Sequence, residues 1–137
     1  MTAVHPIDFG SIAWEEDSRI FGNISEIADV LNDQIVLSRY GKDVLSIFFV
    51  PMGLQPDDDF HPEKVSYSPK RKELDIRLKL DYARMKKASG PEFLRMVAQL
   101  FLSAIDRFPV NRLKDFDVSA FKEDVARIFR EKGYLPL

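Results

Sequence analysis

Side chains able to do chemistry are few in this chain, and their spacing does not favour chemistry. The densest group is Asp57, Asp58 and Asp59, with His61 and Glu63 just behind. A hard cation such as magnesium or calcium needs oxygens that converge from several directions. Consecutive residues converge only in a calibrated turn, and this stretch lacks the glycine and glutamate spacing of a calcium loop. A solvated acidic loop or a partner-binding surface fits these aspartates better than a metal site. A second acidic run, Glu15, Glu16 and Asp17, follows Trp14, the sole tryptophan. An exposed tryptophan rimmed by acids makes a strong interface anchor. The plainer reading is a core aromatic at the end of a strand. Both acidic runs are candidate partner-binding residues.

The remaining inventory argues against catalysis. His5 and His61 are the only histidines; each stands beside a proline with no partner at motif spacing, and a general base needs both geometry and a tuned pKa. Serines are scattered and never form a nucleophile elbow. The six glycines lie far apart, so no phosphate cradle forms. With no cysteine there is no disulfide and no thiolate metal site. No cofactor, no metal and no enzymatic activity are expected.

Charge is nearly balanced: 20 basic against 22 acidic side chains, a net −2. The global field neither seeks nor strongly repels nucleic acid. The basic run Lys70, Arg71, Lys72 lacks interleaved aromatics and reads as a solvated turn, so nucleic-acid binding is not expected. No apolar run is long enough to cross a bilayer, and the first ten residues lack the basic and apolar regions of a signal peptide. A cytoplasmic protein is expected.

The elements that must carry these residues are legible from periodicity. Residues 65–81, VSYSPKRKELDIRLKLD, read as a tight β-hairpin. Val65 and Tyr67 face inward, Pro69 to Lys72 turn, and Leu74, Ile76, Leu78 and Leu80 face inward again. Asp75, Arg77, Lys79 and Asp81 face water, a strict period of two. Ile7 to Trp14 alternates only loosely and is assigned as a strand. Ile24, Ile27, Ala28, Leu31 and Ile35 recur at helical spacing, with Asn23 or Ser25 as N-cap. That helix is expected to run through Tyr40 to a stop at Gly41, although Ile35, Val36 and Leu37 suit a strand too. Val44 to Val50, VLSIFFV, suits a short strand buried on both faces, and the proline-rich stretch after it is a loop.

Ser89, Gly90, Pro91 and Glu92 have capping-box spacing. Behind them Phe93, Val97, Leu100, Phe101, Leu102, Ile105 and Phe108 cover the broad apolar face of a largely buried helix, closed by Pro109. The last helix is capped by Asp117, stapled by Phe116 and Phe121, and stopped by Gly133. Its outer face carries Lys122, Glu123, Asp124, Arg127 and Arg130. At 137 residues the chain suits one core rather than two. The expected fold is α+β: a single domain, 1–137, ordered strand, helix, three strands, then helices, with an antiparallel sheet of about four strands covered on one face.

From Val65 onward the order of features resembles small immunity proteins of bacterial polymorphic toxin and contact-dependent inhibition systems. The resemblance is carried by YSPKRKELDIRLKLDY, by LRMVAQLFLSAIDRF and by KDFDVSAFKEDVARIFREKGYL. In such proteins a tyrosine-bearing strand turns through lysines and arginines into a strand ending in an aspartate and an aromatic. A long helix and a closing DF-D-x-x-x-F helix follow. The similarity covers about the last seventy residues, and Val44 to Pro51 more loosely; the first forty match only in the position of their helix. Its motifs are structural rather than catalytic. The resemblance implies a cytoplasmic antidote whose partner is one cognate toxin domain, with a nuclease as a candidate toxin. It transfers no binding residue. A protein-binding adaptor or secretion chaperone competes with this reading, and an enzyme of unrecognised type ranks behind both.

Overall fold

The computed structural model describes residues 6–9, 18–52, 63–79, 84, 87–88 and 90–135. Among them run β1 (Ile7–Phe9), α1 (Ser18–Gln34), β2 (Ser46–Met52), β3 (Lys64–Ser68), β4 (Glu73–Lys79), α2 (Gly90–Ile105) and α3 (Val118–Glu131). Single-turn 3-10 helices lie at Leu37–Arg39 and Val110–Arg112. The order is the expected one, and the fold is α+β.

The hairpin has the expected register. Val65 pairs with Ile76 and Tyr67 with Leu74, antiparallel. Leu74, Ile76 and Leu78 are fully buried while Arg77 is exposed. A slip by one residue would bury Asp75 and Arg77 instead, so burial itself locks the pairing. Leu80 and Asp81 lie outside the described residues, as do Trp14 and Ser89.

The sheet is mixed, not antiparallel throughout, which corrects the expectation. Its strand order is β1-β2-β4-β3. β1 runs parallel to β2, and β2 parallel to β4. The reason is connectivity: a helix as long as α1 between neighbouring strands returns the chain to the same end of the sheet, giving a parallel pair. β4 then occupies the place beside β2, and its hairpin partner β3 takes the far edge. Pro51 is tolerated inside β2 because of this arrangement. The Ile47 N–H donates toward β1, to the Pro6 carbonyl at 2.7 Å. Alternation turns the position of Pro51 the same way, so the missing donor leaves the ladder to β4 intact.

β2 is buried on one face rather than two. Ile47 and Phe49 are buried, whereas Ser46, Phe48 and Val50 are only half-buried. Ile7, Ile47, Phe49, Leu74, Ile76 and Leu78 all turn to the face that the helices cover, in one continuous core with the buried sides of α1, α2 and α3. T-shaped ring contacts link Phe49 to Phe101 at 5.5 Å and Phe101 to Phe129 at 6.3 Å.

α1 differs from expectation at both ends. It begins at Ser18 and ends at Gln34, with Val36 extended before the 3-10 turn. The β-branched pair Ile35 and Val36 breaks the helix there. A side chain that periodicity did not single out closes the exposed edge of β1. Asn32 accepts the Ile7 N–H at 2.9 Å and donates to the Ile7 carbonyl at 2.7 Å, imitating a further strand. The last helix is as expected. Asp117 accepts the Ala120 N–H at 3.0 Å, and the Phe116 and Phe121 rings stand 5.6 Å apart. At the far end Tyr134 N–H donates to Phe129 O and Gly133 N–H to Arg130 O. With Gly133 at φ +81° this is a Schellman stop.

Candidate partner-binding surface

Glu15, Glu16, Asp17, Asp57, Asp58 and Asp59 lie outside the described residues, as do His5 and His61. Among the described residues no three metal-ligating side chains converge. The perturbed titratable groups there are tyrosines in structural roles. Tyr40 donates to Asp124 at 2.5 Å, tying the 3-10 turn to α3. Burial, reinforced by that carboxylate, pushes its hydroxyl up to about 12. Tyr134 donates to Glu26 at 2.9 Å, tying the end of α3 to α1, and burial again raises its pKa. Sequence periodicity gave no sign of either pair, since the partners are 84 and 108 residues apart.

Three segments converge at one end of the molecule: residues 41–45, the hairpin turn 69–72, and residues 109–117. Gly41 forms an isolated antiparallel bridge with Phe116. The Asp43 N–H donates to Asp115 O at 3.1 Å, and Asp115 N–H donates to the Asp43 carboxylate at 2.7 Å. Asp117 N–H donates to Tyr40 O at 2.8 Å. The hairpin is fastened to the same place. Leu45 N–H donates to Lys72 O at 2.7 Å, and the Tyr67 hydroxyl donates to Asp43 O at 2.5 Å. The Arg112 guanidinium sits 5.6 Å from the centre of the Tyr67 ring, within cation–π range.

Gly41 is required here for a different reason from the helix stop expected of it. It follows a 3-10 turn at φ +149°, and a Cβ on it would stand 1.9 Å from Asp115 O. In the turn, Ser68 Oγ accepts the Arg71 N–H at 3.3 Å, and Lys72 takes φ +52°. That left-handed conformation normally falls to glycine.

This end is rich in cations. Lys42, Lys70, Arg71, Lys72, Arg112 and Lys114 are all exposed, and among the described residues none forms an ion pair. The Asp43 and Asp117 carboxylates each accept a backbone N–H, and Asp115 and Asp117 are the exposed acids of this end. Elsewhere some charges are paired, Asp75 with Arg77, Asp106 with Lys122, and Arg127 between Asp124 and Glu131, while Arg95, Arg107, Arg130 and Lys132 stand exposed and more scattered. Among the described residues the large apolar side chains left exposed are Leu45 and Val110, at 57% each, and Val36 at 46%. The first two belong to the cation-rich end. Among the described residues, shallow depressions lie along the outer face of α3 and, about 350 Å³ in volume, where Glu26, Leu94 and Tyr134 meet. Neither gathers a set of groups suited to catalysis. No described helix is long and apolar enough to cross a membrane.

Comparison with protein families gives a match to Immunity protein 44 over residues 5–131. The chain belongs to that family of bacterial immunity proteins. Comparison with curated proteins and with solved structures gives no match. The match reaches well beyond the C-terminal half that carried the resemblance in sequence. It covers β1, α1 and β2 as well.

Proposed function

We propose that this protein protects the bacterium that makes it by binding one cognate toxin domain in the cytoplasm, stoichiometrically and without chemistry of its own. The observation that carries this reading is family membership over residues 5–131. The described residues support it by their chemistry: their perturbed groups are tyrosines spent on structural hydrogen bonds, and one end of the fold gathers six exposed cations that form no ion pair among those residues. Glu15 to Asp17 and Asp57 to Asp59 are proposed as rim charges of the contact. Rim charges act mainly on association rate and salt dependence. Opposite signs on one binding protein also penalise docking in the wrong orientation.

Co-expression tests the function. Cells making the toxin encoded beside this chain's gene survive when the protein is present and die when it is absent. Protection at strongly substoichiometric levels would instead identify an enzyme.

A further inference from the structure

Resting on that toxin-binding function, we propose that the end built from residues 41–45, 69–72 and 109–117 is the docking surface. We further propose that it receives an acidic patch of the toxin domain with an apolar centre. Charge complementarity is the first ground. Lys42, Lys70, Arg71, Lys72, Arg112 and Lys114 stand exposed without ion-pair partners among the described residues, and they outnumber the acids of the same segments, Asp43, Asp115 and Asp117. A partner bringing carboxylates here meets cations that form no ion pair among the described residues.

The second ground is apolar. Leu45 and Val110, each 57% exposed, lie among these cations. Apolar side chains inside a polar rim are the usual anatomy of a protein interface. They also argue against single-stranded nucleic acid, which stacks on aromatic platforms; the Tyr67 ring face is already occupied by Arg112. Rigidity is the third. The three segments are fastened by backbone hydrogen bonds and by the Gly41–Phe116 bridge, so a partner orders little on binding. Lys72 adds to this. It holds φ +52°, where glycine would be less strained, and keeps a cationic side chain at the tip.

Two charge-matched variants test the proposal: Lys70→Glu with Arg71→Glu at the tip, and Arg130→Glu with Lys132→Glu at the far end of α3, about 20 Å along that helix from its start at 1.5 Å per residue. Binding to the purified toxin domain is measured by surface plasmon resonance in low and high salt. The tip variant should associate at least tenfold more slowly in low salt, with the difference shrinking in high salt as charges are screened. The distal variant should stay within about threefold of the parent. Leu45→Ser with Val110→Ser should dissociate at least fivefold faster. All variants should melt within a few degrees of the parent, which separates docking from folding.

If the parent binds and the tip variant binds equally well, the docking surface is wrong while the antidote reading stands. If the parent does not bind the toxin at all, both fall. A short DNA duplex serves as a further probe: binding to it that is lost in the tip variant would overturn the protein-docking assignment.

Discussion

Replacing Gly41 by alanine should be among the most damaging single-methyl additions possible in this fold. The new Cβ would lie 1.9 Å from Asp115 O, 2.4 Å from Asp115 C and 2.8 Å from Phe116 Cα. All three are backbone atoms, so no rotamer change relieves the clash. The 109–117 segment must retreat by about 1 Å or more merely to reach the edge of tolerated contact. That retreat strains the Asp43–Asp115 pair of hydrogen bonds and the bond from Asp117 N–H to Tyr40 O. At about 1 kcal/mol net for each, and roughly 1–2 kcal/mol for a side chain at positive φ, the loss comes to about 4–5 kcal/mol. Against a total of about 5–15 kcal/mol, that lowers the melting temperature by on the order of 15 °C. Gly133→Ala is the natural comparison, because Gly133 has φ +81° with nothing within 4 Å of its added Cβ. It should cost only about 1 kcal/mol. Thermal unfolding of the two variants side by side checks the reasoning. Equal melting temperatures would refute it, and with it the tight approach of residues 41 and 115.

Asn32→Ala should cost about 2 kcal/mol, because it strips both hydrogen bonds from Ile7 at the sheet edge; the Ile7 amide should then exchange its hydrogen markedly faster. Asp117→Ala should cost about 1 kcal/mol through loss of the helix cap, read by urea unfolding. The Tyr40 hydroxyl is held protonated by the fold, from 10.0 up to about 12. Its contribution is therefore whole below about pH 10 and lost as pH rises toward 12. Tyr40→Phe should weaken that alkaline loss of stability, as seen in melting temperatures across the range.

What the sequence disclosed was local and periodic. The alternation of Leu74, Ile76 and Leu78 fixed a face and a register, and Asp117, Phe116 and Gly133 marked the ends of the last helix, because caps and stops act within one turn. Strand direction was harder to read. Val44 to Val50 reads as a strand buried on both faces of an antiparallel sheet, whereas β2 runs parallel to β1 and β4 and buries one face, because α1 fills the gap between β1 and β2. Gly41 gave a true signal for the wrong cause, since the atoms that demand glycine belong to Asp115 and Phe116, some 75 residues away. The proposed docking end was not legible in the sequence for a related reason. Lys42, Lys70 to Lys72, Arg112 and Lys114 are three short and unremarkable groups along the chain, and only the folding of three loops onto one another makes them a surface. Asn32, too, looked like an ordinary polar position on a helix until β1 was laid beside it.

The central claim is one-to-one neutralisation. Titrating the purified protein into a fixed amount of its cognate toxin domain, and following residual toxin activity, tests it most directly. Activity should fall linearly and reach zero at one equivalent, with a complex of summed mass recovered by size-exclusion chromatography with light scattering. Complete loss of toxin activity at a small fraction of an equivalent, or undiminished activity at excess, would contradict it.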